Sequence, residues 1–333
     1  MTMKVFSIPQ NPAPPGGVVS TVHTRDHWSL RAAHWRCASD CVGTIAILPG
    51  FSEFIEKYFE VIGELLSRNF DVAILDWRGQ GLSDRFLSGR RIGHIGHFQA
   101  YERDVEALIA QILRPYCRPP WFALGHSMGG AIALAKAHDG PWPFARMVLT
   151  APMIDIYGLR FPKLSRALAQ AMAQLGQGGR YAPGSGPISY MAGKFEGNIL
   201  TSDQGRHARN AAILAAVPEL ALGGPTIGWL NTAFHLMRRF EDVEFPRRLL
   251  TPTLILTAGA DRLVDTAAEE LFASRLKIGK GLILPNARHE ILMERDDVRE
   301  LFFAAFDAFI PGETAGDFRP NEPERQAHFV AVK

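Results

Sequence analysis

The pentapeptide Gly125-His126-Ser127-Met128-Gly129 sets a serine between glycines two residues before and two residues after it. A serine hydroxyl is a poor nucleophile at neutral pH. Attack on an acyl carbon, the chemistry this motif suggests, needs a base to take the proton and donors to hold the developing oxyanion. The chain offers 11 histidines as candidate bases and 34 aspartates and glutamates to orient one. The pentapeptide alone is a weak signal, and an inert serine in a glycine-rich turn is the alternative. Position in the fold decides between them.

The surrounding elements supply that position. Residues 17–24 and 28–36 are short and strand-like, with Arg25-Asp26 as the turn between them. Thr44-Ile45-Ala46-Ile47-Leu48 is a continuous apolar run ending at Pro49-Gly50, the pattern of a strand covered on both faces. Over 55–69, Ile55, Tyr58, Phe59, Ile62, Leu65 and Leu66 share one helical face. A second buried strand is expected at 72–75, a helix over 99–114, a strand at 121–124, a helix over 128–138 and a strand at 147–150. The motif thus follows a strand directly and leads into a helix, which is the setting of a nucleophile elbow. The alternation predicts a mostly parallel sheet flanked by helices. It stops over 152–245, which holds a Gly/Pro-rich middle (Gly176 to Gly186) and amphipathic helical stretches. Apolar runs return at Thr253–Leu256 and Leu282–Leu284, before a last helix over 297–309. The expected organisation is an α/β core in two parts, 1–151 and 246–310, with a helical cap at 152–245 inserted after the strand that follows the elbow. The tail, 311–333, is polar, contains Pro320 and Pro323, and is expected to be loosely held.

Gly125-His126-Ser127-Met128-Gly129-Gly130 resembles the elbow of the monoacylglycerol lipase and bacterial lysophospholipase group of α/β-hydrolases, a group similar also to serine aminopeptidases. Leu48-Pro49-Gly50-Phe51-Ser52-Glu53 and Asp76-Trp77-Arg78-Gly79-Gln80-Gly81-Leu82-Ser83 match as well. The resemblance covers roughly 28–151 and 250–310 and weakens across the insertion. It implies the α/β-hydrolase fold and the chain order nucleophile, acid, base. Under that order His23, His27, His34, His94, His97, His126 and His138 come too early, His207 and His235 fall in the insertion, and His328 lies in the tail. His289, just after the strand at 282–284, matches the position of the base. Asp261, after the strand at 253–256, matches the acid, with Asp265 as a competitor that reads better as the cap of a helix starting near Thr266. The oxyanion hole is expected from the backbone N–H groups of Met128 and Phe51. Many members carry His-Gly where this chain has Pro49-Gly50. Glu53 resembles a loop acid of the group, with a direct role left open. The segment 76–81 reads as a structural turn and not as a phosphate loop, since no Gly-Lys-Ser/Thr follows.

Composition narrows the function class. Lys plus Arg is 36 and Asp plus Glu is 34, too balanced for a nucleic-acid partner. The first residues lack the apolar run expected of a signal peptide, no run of 18 apolar residues occurs, and the three cysteines, Cys37, Cys41 and Cys117, fit a reducing compartment, so a cytoplasmic location is expected. A membrane surface stays open as a peripheral partner, and oligomeric state is not readable. No cofactor is expected. A metal at His34, Cys37 and Cys41 is not expected either, because no second ligand pair follows. In the insertion, Leu159, Phe161, Leu164, Leu168, Met172 and Leu175 form one stripe and Trp229, Leu230, Phe234 and Met237 another, followed by Arg238 and Arg239. Both are expected to pack inward, with some side chains lining an acyl pocket. The substrate is then a small acyl ester or lipid, such as a lysophospholipid or monoacylglycerol. A serine aminopeptidase is the alternative and would need a carboxylate for the substrate amine, with Glu196, Asp203 and Glu219 available. A non-catalytic binding protein on the same scaffold would carry a broken triad.

Overall fold

The structure, a computed structural model, describes residues 4–38, 40–86 and 91–310. The tail expected to be loosely held lies outside the described residues. Eight strands are described: β1 (Val18–His23), β2 (Ser29–Trp35), β3 (Gly43–Leu48), β4 (Phe70–Leu75), β5 (Trp121–His126), β6 (Arg146–Thr150), β7 (Thr253–Ala258) and β8 (Gly279–Leu284). They form one sheet in the order β1-β2-β4-β3-β5-β6-β7-β8. β2 pairs antiparallel with β1 and β4, and the remaining neighbours are parallel.

Every residue of β3, β4 and β7 is buried, which is why their central residues read as apolar runs. β8 is longer than its apolar core suggested and lies at the sheet edge, where Leu282 and Ile283 are half exposed. Parallel neighbours need crossovers. β3 passes to β4 through a 3-10 turn (Ile55–Tyr58) and α1 (Phe59–Ser67), and β5 to β6 through α4 (Met128–Asp139). β4 passes to β5 through α2 (Gln99–Leu108), a π-helical stretch (Ile109–Leu113) and α3 (Arg114–Tyr116). The single helix expected over 99–114 therefore widens. Pro115 cannot donate a hydrogen bond and crowds the carbonyl one turn back, and the π stretch lies just before it. β7 passes to β8 through α8 (Thr266–Ser274), and α9 (Asp296–Phe309) closes the core.

Between β6 and β7 lie α5 (Pro162–Met172), α6 (Gln204–Ala216) and α7 (Ile227–Phe240). The two apolar stripes read from sequence behave differently. Trp229, Phe234 and Met237 on α7 are buried, whereas Phe161, Leu164, Leu168 and Leu175 are exposed. α5 packs on α7 through its other face, around Ala169, so its apolar stripe points away from the core. A second small core joins Met191, Leu200, Ile213, Leu214 and Leu220 to Phe54, tying the insertion to the loop after β3. No helix among the described residues is long and apolar enough to cross a membrane.

Candidate active site

The sheet brings the carboxyl ends of β3, β5, β7 and β8 to one edge, and the candidate residues stand on the loops that leave them. Ser127 follows β5 at φ 49°, ψ −114°, a left-handed conformation that costs a non-glycine residue of the order of 1–3 kcal/mol. The surroundings enforce it. The Ser127 N–H donates to the Thr150 carbonyl of β6 at 3.0 Å, and α4 starts immediately afterwards. Gly129 is required here, because a Cβ would stand 2.0 Å from the Leu48 carbonyl oxygen. α4 and the end of β3 can approach this closely only over a hydrogen atom.

His289 lies in the loop after β8, with Nε2 2.9 Å from Ser127 Oγ and Nδ1 2.7 Å from Asp261 Oδ2. All three residues are buried. Asp261 Oδ1 accepts the N–H groups of Leu263 and Val264, at 2.7 and 3.1 Å. Burial alone would raise the Asp261 pKa, but His289 and these two donors hold it below its ordinary value. Burial would lower the His289 pKa, and the neighbouring carboxylate outweighs it, leaving the imidazole more basic than usual. Asp265 does what its position suggested. It caps α8, accepting the Ala268 N–H at 2.9 Å, and makes no contact with His289.

Met128 opens α4, where a first-turn N–H has no intrahelical acceptor. The Phe51 N–H meets no acceptor among the described residues, while those on either side are clamped: Gly50 N–H donates to Glu53 Oε2 and Ser52 N–H to Gln80 Oε1. Both groups proposed from sequence as oxyanion donors are therefore free to donate.

Glu53 makes no hydrogen bond to Ser127 or His289 among the described residues. Its carboxylate also accepts the Tyr58 hydroxyl at 2.6 Å and pairs with Lys57, whose ammonium reaches Glu290 Oε1 at 2.7 Å. Burial would raise the Glu53 pKa, but Lys57 and its other partners bring it down to about 2. His126 beside it is pushed down to about 4 by burial, so it is neutral near pH 7, with Nδ1 3.1 Å from the Thr150 carbonyl. Lys57 and Glu290 were not singled out from sequence. The four-residue spacing of Glu53 and Lys57, and Glu290 following His289, were the available signals. The 76–83 segment is a scaffold for the same loop. Asp76 accepts from Arg31 at 2.7 Å and from the Ile55 and Leu82 N–H groups, and Arg31 also grips Glu56 in a two-pronged pair.

A cavity of about 210 Å³ opens over Ser127, walled by Phe51, Met153, Ile156, Met191, Trp229 and Leu263 among others. Trp229 packs against Phe51 with ring centroids 4.6 Å apart and planes tilted by 54°. Of the two stripes, only that on α7 reaches this cavity. Glu196, Asp203 and Glu219 are not among its walls. The carboxylates that are, Glu53 and Glu290, are engaged by Lys57. Away from this edge, Cys37 and Cys41 gather with Asp71 and not with His34, which stacks on Tyr116. Arg118 donates to Asp71 at 2.7 Å, setting a cation on that cluster.

The family described as serine aminopeptidase, S33, matches residues 39–296. Lysophospholipase L2 of Escherichia coli (strain K12) is 33% identical over 279 residues, covering 80% of this chain and 79% of that protein. Human monoglyceride lipase is 27% identical over 293 residues, covering 86% and 88%. Among solved structures, a soluble variant of the Saccharomyces cerevisiae monoglyceride lipase in complex with a substrate analogue superposes with a TM-score of 0.71 at 18% identity, covering 92% of this chain and 99% of that one. This last likeness bears on the fold, which is that of the α/β-hydrolases. With the match spanning more than half of its length, the chain belongs to the serine aminopeptidase S33 family of α/β-hydrolases.

Proposed function

We propose that this protein is a carboxylic ester hydrolase acting on a lipid ester, either a lysophospholipid or a monoacylglycerol, through Ser127, His289 and Asp261. The observation that carries the reading is the hydrogen-bonded line from Ser127 Oγ through His289 to Asp261, at 2.9 and 2.7 Å, under an apolar cavity. Ser127 Oγ attacks the ester carbonyl carbon and passes its proton to His289 Nε2. The carbonyl oxygen takes the negative charge and receives the N–H groups of Phe51 and Met128. The carbon–oxygen bond to the glycerol moiety breaks, and the departing oxygen takes the proton from His289. Water, deprotonated by the same nitrogen, then attacks the acyl carbon; the bond to Ser127 Oγ breaks, His289 returns the proton to Oγ, and the acyl group leaves as a carboxylic acid. Asp261 holds the tautomer and balances the imidazolium. The side chains of 152–245 act as a cap that selects the acyl group.

The names and identities of the relatives support a lipid substrate, and so do the apolar walls. An aminopeptidase reading is less well supported, because neither carboxylate in the walls is free to hold a substrate amine. The test is parallel hydrolysis of lysophosphatidylcholine, a monoacylglycerol and aminoacyl amides, with p-nitrophenyl esters of increasing chain length. Turnover on the lipids, and ester rates rising from acetate to medium chains, are expected. Preferred turnover of the amides, or a profile falling from acetate, would overturn the reading.

A further inference from the structure

The turn between β2 and β3 holds Cys37 and Cys41, four residues apart, far from the candidate active site. Cys37 is buried, Cys41 is half-buried, and both are free thiols. Their sulfurs and a carboxylate oxygen of Asp71 all lie within 4.8 Å of one another. Cys117 belongs to no such group among the described residues. Both sulfurs are held in place. Cys37 Sγ is 3.3 Å from the Asn69 carbonyl oxygen, and Cys41 Sγ is 3.2 Å from that of Gly43, where β3 begins. The Cys37 N–H donates to Asp71 Oδ1 at 2.9 Å. The turn thus brings the two sulfurs together before any bond joins them.

Arg118 decides what chemistry suits this cluster. Its guanidinium donates to both oxygens of Asp71, at 2.7 and 3.0 Å, and so stands where a metal ion would. Its Nη2 also lies 3.2 Å from Cys37 Sγ, and a fixed cation there stabilises a thiolate as it forms. Burial and the neighbouring Cys41 push the Cys37 thiol up to about 12, so it stays protonated near pH 7 until a partner is presented. The half-buried Cys41 is the sulfur that solvent reaches. Burial therefore separates two roles, a thiol that meets an oxidant and a second that resolves the product.

We propose that Cys37 and Cys41 form a redox modification site, a dithiol that hydrogen peroxide converts reversibly to a disulfide. Cys41 Sγ attacks one peroxide oxygen, the oxygen–oxygen bond breaks, and Cys41 becomes a sulfenic acid with release of water. Cys37 Sγ then attacks Cys41 Sγ. The sulfur–oxygen bond breaks, the hydroxyl leaves with the Cys37 proton as a second water, and the disulfide forms. Peroxide takes the two electrons that the sulfurs lose, and a small thiol returns them. The cluster stands at the starts of β3 and β4, whereas Ser127 follows the end of β5, so the site is independent of the hydrolytic reading.

Peptide mass spectrometry of the full chain tests this. The reduced protein is treated with dilute hydrogen peroxide, its remaining thiols are blocked with N-ethylmaleimide, and it is digested with trypsin. Residues 37–57, between cleavage after Arg36 and after Lys57, carry both cysteines in one peptide that excludes Cys117. That peptide should lose two hydrogens and take no maleimide, and dithiothreitol should reverse the change. Cys37→Ser should leave Cys41 as a sulfenic acid that dimedone traps, and Cys117→Ser should close the disulfide as the wild type does. The wild-type readout stands whether or not the variants fold. A wild-type peptide that keeps two alkylated cysteines, or that gains oxygen without losing hydrogen, would overturn the proposal. So would a disulfide that joins two copies of the chain or includes Cys117. Stoichiometric zinc in the purified protein, lost in Cys41→Ser, would also overturn it, because the sulfurs would then be metal ligands.

Discussion

Lys57 and Glu290 form a buried ion pair, Nζ to Oε1 2.7 Å, one residue from His289. Through Glu53 the same ammonium is tied to the Gly50–Ser52 loop. One cation thus joins the loop of the proposed base, His289, to the loop of Phe51, one of the two proposed oxyanion donors. Removing one partner of a buried pair leaves an uncompensated charge, and Lys57→Met is expected to cost about 3 kcal/mol. Glu53→Gln is milder in stability, because Glu290 still faces Lys57. It should lower kcat more than it raises KM, by releasing Gly50. It should also move the acid limb of the pH profile to lower pH, since Glu53 is among the charges that raise the His289 pKa. Urea unfolding and a pH–rate profile on one soluble ester check all of this. In the wild type, Glu53 adds stability that is present above 4.5 and is lost as the pH falls through about 2.

The two aspartates of the Asp261–Asp265 loop should separate cleanly. His289 must be neutral to act as base, and its pKa lies above the ordinary 6.5. The kcat/KM of the wild type should therefore rise with pH through a limb above that value. Asp261→Asn removes the charge that sustains the shift. The limb should move to lower pH and kcat fall by about a thousandfold or more. Asp265→Ala should leave the profile in place and cost about 1 kcal/mol, the usual worth of an N-cap.

Much of this arrangement was legible in the sequence. The strands that read well, β3, β4 and β7, are buried on both faces, and their polar residues, Thr44, Asp71, Thr253 and Thr257, stand at or near the strand ends. Ser127, Asp261 and His289 could be named because each follows a strand legible in the sequence (β5, β7 and β8) and matches a motif of the group the chain resembles, so order along the chain stands in for position in space. The α5 stripe was misplaced for a physical reason: periodicity says that one side is apolar, but not whether that side meets protein or solvent. Lys57 and Glu290 escaped notice because they are 233 residues apart in numbering and meet only through the sheet.

Glu269 offers a stability test independent of the site. It is buried in α8, and burial pushes its pKa well above 4.5. Its proton is therefore held more tightly in the fold than in the unfolded chain, which destabilises the native state as pH rises above 4.5. Glu269→Gln should raise Tm at neutral pH and lose that advantage below 4.5, as read by calorimetry at the two extremes.

The elbow glycines should rank by what a methyl group would strike. At Gly129 it would meet the backbone oxygens of Leu48 and Pro49 at 2.0 and 2.5 Å, and at Gly125 the Gly130 Cα at 2.9 Å. Gly129→Ala is expected to cost about 3 kcal/mol or more and to abolish activity in whatever folds, by displacing the loop that carries Phe51. Gly125→Ala should cost about 1 kcal/mol less at minimum. Denaturant midpoints and residual ester hydrolysis give the ranking.

The central claim is that Ser127 is the nucleophile, and covalent labelling by a fluorophosphonate tests it most directly. The wild type should gain one adduct by intact mass, mapped by peptide sequencing to Ser127, and lose hydrolysis in step with labelling. Ser127→Ala should take no label and keep a circular-dichroism spectrum like that of the wild type. Labelling of the alanine variant to the same extent, or an unlabelled wild type that still hydrolyses esters, would contradict the account.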